Sequence, residues 1–134
     1  MAGSLAPLLA LAGQCVAGDV GPGSRDVHCF TSVYGGQHVR DAHVVTQGGR
    51  AVYQGETLYS IEGKEVTYTY VSSIGGIGRG TAELAPGDWK FTMTMRATPD
   101  SAAQPFATRW QWQGMRAYAV HGGPAPVTYR RTSR

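Results

Sequence analysis

The stretch from Gln37 to Ser73 constrains the fold more than any other part of this 134-residue chain. It contains three runs in which apolar and polar residues alternate, HVRDAHVV, AVYQGETLYSI and EVTYTYVSS, separated by the turns TQGGR and EGK. Alternation with a period of two residues predicts β-strands, and glycine supplies the positive φ angles that two-residue hairpin turns need. The stretch therefore predicts an antiparallel meander.

The pairing within this meander predicts which side chains face inward. If Gly48-Gly49 and Glu62-Gly63 are two-residue turns, Arg40 lies opposite Thr57. The inner face then holds Arg40, Ala42, Val44, Tyr53, Tyr59, Val66, Tyr68 and Tyr70, and the outer face holds Asp41, His43, Gln54, Glu56, Glu65, Thr67 and Thr69. This assignment keeps the acidic side chains in water, because burying them without partners costs several kcal/mol. A three-residue turn would shift the register by one residue and exchange the faces of one strand.

The rest of the chain continues the same pattern, which predicts one all-β domain over residues 1–134. The predicted strands are Gln14–Val20, Asp26–Tyr34, His38–Thr46, Ala51–Ile61, Glu65–Ser72, Ile77–Leu84, Trp89–Ala97, Pro105–Gln113, Ala117–His121 and Val127–Arg131. Their connections are short, which favours an up-and-down antiparallel barrel over a two-sheet sandwich with long crossovers. Leucines at helical spacing in residues 1–13 predict a short helix that closes one end of the barrel.

Composition argues against several classes of function. The net charge of +3 is modest, and only 16% of the residues are charged. Arg116, Arg130, Arg131 and Arg134 form a weak basic cluster that is better explained by solubility than by nucleic-acid binding. No stretch approaches the roughly 20 apolar residues that a membrane-spanning helix requires. We therefore expect neither a nucleic-acid nor a membrane partner, while a homodimer is compatible with the sequence.

Two cysteines bear on the compartment. Cys15 and Cys29 lie symmetrically about Pro22, so they could face each other across a hairpin and form a disulfide. Two free thiols in a cytoplasmic protein are the favoured interpretation, because disulfides are rare in that compartment. The first basic residue is Arg25, so the N-terminal segment does not have the positive region of an export signal. An exported form that has lost its signal segment is the alternative.

Several motifs resemble those of small bacterial lipocalin-like barrels of uncharacterised function. They are the L-x-x-L-x-x-L-x-G segment that begins at Leu5, VYGG, YQGETLYS and SSIGGIGRG. The order of elements is also similar to the ten-stranded barrels of nitrobindin and the fatty-acid-binding proteins. Where nitrobindins and many lipocalins carry a Trp after the first Gly, this chain has Gln14-Cys15-Val16. The resemblance implies a calycin-like barrel, and motifs of this kind specify fold far better than activity.

The inward aromatic residues predict what such a site would contain. They are Tyr53, Tyr59, Tyr68, Tyr70, Phe91, Trp110, Trp112, Tyr118 and Tyr129. Buried Tyr and Trp need partners for their polar ends, whereas a dry core would use Leu, Ile and Val. Arg40 is predicted to point inward without a carboxylate, with Arg79 as a second candidate, so a ligand anion could pair with it. The alternative for both is a position near a barrel mouth, where the side chain reaches solvent or pairs with a loop acid such as Asp26. The leading hypothesis is a non-enzymatic carrier or sensor for a small amphiphile with an anionic head.

The histidines give little support for other chemistry. His28, His38, His43 and His121 form no metal-binding motif, so no metal site and no cofactor are expected. Haem would need an inward histidine on a late strand, and alternation places His121 outward. His43 could form an acid–base pair with Asp41 or Glu56, although the register places all three outside. An isomerase, cyclase or hydratase on the same barrel, and an interaction module with a filled core, are the alternative functions.

Overall fold

The protein is a closed barrel of ten antiparallel strands in up-and-down order, as seen in a computed structural model that describes residues 3–132. The strands are β1 (Cys15–Gly21), β2 (Ser24–Val33), β3 (His38–Gln47), β4 (Arg50–Glu62), β5 (Glu65–Ser72), β6 (Ile77–Ala85), β7 (Asp88–Arg96), β8 (Gln104–Trp112), β9 (Ala117–His121) and β10 (Val127–Arg131). Each strand pairs with its neighbours in sequence, and β10 pairs with β1 to close the barrel. The predicted fold class is confirmed.

One end of the barrel is closed by helix α1 (Ala6–Leu9), which is shorter than the predicted segment of residues 1–13. Leu5, Leu8 and Leu11 are buried there and belong to the core cluster. Pro7 and Leu11 lie beside the β6–β7 and β8–β9 turns, so α1 lies at the end of the barrel that carries these turns. Within residues 3–132, no helix has the length and apolar character needed to cross a membrane.

The predicted register of the β3–β4 hairpin is wrong by one residue because β4 contains a β-bulge. The turn at Gly48-Gly49 forms as predicted, with Gln47 opposite Arg50, but Val52 has no partner and Val45 pairs with Tyr53. One extra residue in β4 shifts every later pair by one. The faces of β3 are therefore exchanged relative to the prediction, while the inward side chains of β4 and β5 keep their predicted parity.

The register of the β4–β5 hairpin also differs from the prediction, but the same side chains face inward. Its turn residues are Gly63 and Lys64, because Glu62 pairs with Glu65. The register therefore differs from the prediction by two residues, so Tyr59 lies opposite Tyr68. A shift of two preserves which side of the sheet each residue faces, because side chains alternate with a period of two.

The two cysteines form a disulfide, so the favoured prediction of free thiols is wrong. Cys15 and Cys29 are directly paired residues on β1 and β2, with Cα atoms 4.1 Å apart. The bond links β1 to β2 close to the point where β10 pairs with β1 and closes the barrel. The alternative interpretation, in which the β1–β2 hairpin brings the two cysteines together, is the one observed.

Removing this disulfide is expected to destabilise the barrel. The bond closes a loop with a sequence separation of 14 residues, for which the loss of chain entropy in the unfolded state predicts about 3 kcal/mol. Urea unfolding of the protein with Cys15→Ala and Cys29→Ala should show this decrease. A reductant should lower the wild-type midpoint and leave the double variant unchanged. An unchanged wild-type midpoint under reduction would contradict the prediction.

Candidate functional site

The barrel interior contains a cavity of about 280 Å³. Its lining residues are His28, Asp41, His43, Tyr53, Thr57, Tyr59, Tyr68, Tyr70, Phe91, Met93, Met95, Phe106, Thr108 and Trp110. Tyr53, Met95 and Phe106 lie near strand ends remote from α1, and Phe106 is 45% exposed. The cavity therefore approaches solvent at the end of the barrel that the helix does not close.

Small inward residues on β6 help to leave this space open. Gly78 and Gly80 lie opposite Met95 and Met93 of β7. A Cβ atom at Gly78 would overlap the Cε atom of Met93, and one at Gly80 would lie 2.8 Å from the Cβ atom of Met93. The glycines therefore let the Met93 side chain lie across β6, beside the cavity.

Two D-x-H sequences on neighbouring strands supply the polar side of the cavity. Asp26 and His28 face inward from β2, and Asp41 and His43 face inward from β3. His28 and His43 are directly paired across the two strands, and their rings stack with centroids 4.5 Å apart. The sequence repeats DVH and DAH at 26–28 and 41–43. Because residues i and i+2 share a face of a strand, this repeat is the signal that could have located the cluster.

His28 bridges the two buried carboxylates. Its Nδ1 atom lies 2.7 Å from Oδ1 of Asp41, and its Nε2 atom lies 2.9 Å from Oδ2 of Asp26. Burial favours the neutral imidazole, but the charge of Asp41 and the hydrogen bond with Asp26 outweigh it and raise the pKa of His28 to about 10. Both ring nitrogens therefore donate, and His28 carries a positive charge between two acidic side chains.

Asp26 accepts hydrogen bonds from three side chains. His28 Nε2 lies at 2.9 Å, His43 Nδ1 at 2.9 Å and the Tyr129 hydroxyl at 2.7 Å. Burial favours the neutral carboxyl, yet the hydrogen bonds from His28, His43 and Tyr129 hold the pKa of Asp26 well below its usual range. Asp26 is only 5% exposed, so these three donors replace the water that its carboxylate has lost.

A chain of hydrogen bonds leads from Asp26 to the cavity. His43 Nε2 lies 2.8 Å from the Tyr70 hydroxyl, which lies 2.8 Å from the Tyr53 hydroxyl. Burial, and then the hydrogen bond with Tyr53, raise the pKa of Tyr70 above its ordinary value. Tyr70 therefore keeps its proton and presents a neutral hydroxyl.

Gly55 makes room for this chain. It is the residue of β4 that pairs with His43. A Cβ atom at this position would overlap the Tyr70 hydroxyl and lie 2.6 Å from His43 Nε2. Only a residue without a side chain lets these two groups meet in front of β4. The importance of Gly55 cannot be derived from the turn chemistry of the sequence, because it lies in the middle of a strand.

The inward direction predicted for both arginines is wrong. Arg40 lies on the outer face of β3, where its Nε atom is 3.4 Å from Oε1 of Glu56. The bulge at Val52 is the cause, because it turns Asp41 and His43 inward in place of Arg40. Arg79 is exposed between Thr69 and Thr94 on the outer face. The predicted anion partner is therefore not in the interior.

The predicted aromatic residues divide into two groups. Tyr53, Tyr59, Tyr68, Tyr70, Phe91 and Trp110 line the cavity. The others, Trp112, Tyr118 and Tyr129, pack behind it: the Tyr118 ring stacks on Trp110 at 4.4 Å and on Tyr129 at 5.5 Å. Trp112 contacts Trp89 and Tyr118, and it lies near α1. The second group supports the wall and the Asp26 carboxylate.

The other two histidines, His38 and His121, lie outside the cluster of Asp26, His28, Asp41 and His43. His121 Nε2 contacts Gln111 Oε1 at 3.2 Å, and His121 pairs with the exposed Arg109, so its predicted outward direction is confirmed. Donor atoms of Asp26, His28 and His43 lie within 4.8 Å of one another. However, these atoms are joined to each other by hydrogen bonds, and a cation would have to displace the proton that His28 holds. Asp26, His28 and His43 therefore form a hydrogen-bonded network in the structure.

No protein-family model matches the chain, and neither does any curated protein sequence. The site must therefore be interpreted from its own geometry. It combines an aromatic cavity, two hydroxyls and a charged network on one wall.

Proposed function

We propose that the protein is a carrier or sensor that binds a small aromatic or amphiphilic molecule inside the barrel. The observation that carries the proposal is the cavity of about 280 Å³ lined by the seven Phe, Tyr and Trp residues and two methionines named above. Its volume is near the lower end of the roughly 300–1,000 Å³ typical of small-molecule sites. The apolar body of such a ligand would contact the rings, and its polar group would contact Tyr53.

The location of the polar groups supports this orientation. Phe91 and Trp110 are buried and lie 4.7 Å apart between ring centroids. The Tyr53 and Tyr70 hydroxyls come from β4 and β5, and they are hydrogen-bonded to each other and to His43 of β3. An anionic head was predicted from Arg40, and that prediction loses its basis because Arg40 pairs with Glu56 outside the barrel.

The alternatives have less support. The open cavity inside the barrel favours a ligand site over an interaction module with a filled core. An acid–base enzyme would need a group that readily gives up or takes a proton beside the ligand. Burial, and then the hydrogen bond with Tyr53, raise the pKa of Tyr70, so its hydroxyl is a weak acid. Asp26, His43 and Tyr70 are therefore better suited to holding a fixed hydrogen-bond pattern than to turnover.

The disulfide supports an oxidising compartment, in contrast to the cytoplasmic location predicted from the sequence. Disulfides persist mainly in exported proteins, and the Cys15–Cys29 bond joins directly paired residues of a hairpin. A carrier or sensor that works outside the cytoplasm is consistent with this bond.

Filling the cavity is expected to abolish binding. Thr57 lines the cavity between Asp41 and Tyr70, so Thr57→Phe places a ring in the space that a ligand needs. Isothermal titration with 2-phenylethanol, a neutral probe, should detect binding to the wild type and none to this variant.

Thr92→Phe is the matched control, because Thr92 is exposed on the outer face of β7. It should bind the probe as the wild type does. Absence of probe binding to the wild type, or equal binding by Thr57→Phe, would contradict the proposed function. Native mass spectrometry of protein purified under non-denaturing conditions would then identify a retained natural ligand by its mass.

A further inference from the structure

The direction of the hydrogen bonds fixes what the cavity offers to a ligand. The ionised Asp26 can only accept, so His43 Nδ1 donates to it. The Nδ1–H tautomer of His43 leaves Nε2 as an acceptor, so Tyr70 donates to it. Tyr70 has then used its proton, so Tyr53 donates to Tyr70. The Tyr53 oxygen keeps a lone pair and has no further partner among residues 3–132, so the end of the chain presents an acceptor.

The net charge of the cluster also favours a ligand that donates hydrogen bonds over one that accepts them. Two carboxylates, Asp26 and Asp41, share the single positive charge of His28. The Asp26–His28–Asp41 group therefore carries one excess negative charge. Asp41 is 3% exposed and belongs to the cavity lining, so this charge is poorly screened by water.

The other walls suit a cation. The lining described above contains no Lys or Arg, and both nitrogens of His28 are taken by carboxylates. Aromatic faces attract a cation within about 6 Å of the ring centroid, and the attraction is stronger away from water. Tyr53 and Tyr70 supply such faces beside the excess negative charge.

We propose that the natural ligand is a small amine, bound as its ammonium form with the positive charge beside Tyr53, Tyr70 and Asp41. This assignment rests on the proposed function, because it needs a ligand inside the barrel. The ammonium N–H groups donate to the Tyr53 oxygen, and the charge of the ligand balances that of the Asp26–His28–Asp41 network. A carboxylate would meet an acceptor and a negative charge in the same place.

Four probes with the same phenylethyl body separate charge from hydrogen bonding. They are phenethylamine, 2-phenylethanol, 3-phenylpropionate and phenethyltrimethylammonium, titrated at pH 7 with isothermal calorimetry. Phenethylamine should bind at least about tenfold tighter than the alcohol, and the carboxylate should bind more weakly than both. The quaternary probe keeps the charge but has no N–H donor, so its affinity should fall between those of the amine and the alcohol.

Tyr53→Phe removes the terminal acceptor. It should weaken the binding of phenethylamine by about tenfold and leave the affinity for the quaternary probe nearly unchanged. Tyr34→Phe is the matched control, because Tyr34 is 77% exposed near the closed end. If the alcohol binds but the amine binds no tighter, the ligand class is wrong while the cavity remains a binding site. If no probe binds, both proposals fail.

Discussion

Replacing Asp26 by Asn is expected to lower the free energy of unfolding by about 3–5 kcal/mol, the range found when one partner of a buried ion pair is removed. The carboxylate is the common acceptor for His28, His43 and Tyr129. Asparagine has nearly the same shape but no charge, so His28 would keep only Asp41 as a counter-ion. Equilibrium urea unfolding measures the change directly.

Two further variants make this result interpretable. Asp88→Asn removes a partly exposed carboxylate that pairs with Arg109 at 2.6 Å, and it should change stability little because the pair lies at the surface. Tyr129→Phe removes one hydrogen bond to Asp26 and should cost about 1.5–3 kcal/mol. An Asp26→Asn protein as stable as the Asp88→Asn protein would show that the network is not formed.

Stability should also fall steeply as the pH becomes alkaline. The pKa of His28 is raised to about 10 in the folded state, compared with about 6.5 in an unfolded chain. Its contribution is therefore complete below about pH 6.5 and is lost as the pH rises through about 10, up to about 5 kcal/mol in total. The depressed pKa of Asp26 gives a contribution that is present above about pH 3.8 and lost as the pH falls.

Unfolding free energies measured from about pH 2 to 10.5 would test both directions. The highest stability is expected between about pH 4 and 6.5, where both contributions are complete. His28→Gln should be less stable and should have a flatter pH dependence above about pH 6.5. His121→Gln, on the outer face, should keep the wild-type slope. A wild-type slope in the His28 variant would contradict the assignment of the proton to His28.

The sequence was sufficient for the architecture because its signals are local. Alternating runs and glycine turns define the strands, and the short connections imply up-and-down order. The parity of β4, β5 and β7 was also predictable, since the aromatic and methionine residues that must leave water mark one face. These strands supply most of the aromatic wall.

The polar side of the site could not be predicted for a physical reason. A bulge at Val52 costs little at an exposed position, where Val52 is 55% exposed, and neither turn glycine signals it. The rule that acidic side chains stay outside then favoured the wrong face of β3. Asp26 and His28 overturn that rule, because they provide the partners that make an inward Asp41 and His43 acceptable.

The methionine methyl groups provide the most direct test of a ligand site inside the barrel. Met93 and Met95 line the cavity, whereas Met115 is 84% exposed beside the closed end. In protein labelled with ¹³C at the methionine methyls, added phenethylamine should shift the Met93 and Met95 signals and give nuclear Overhauser effects from its ring to both. Met115 should not respond. Shifts confined to Met115, or no shift at saturating probe, would contradict an internal site.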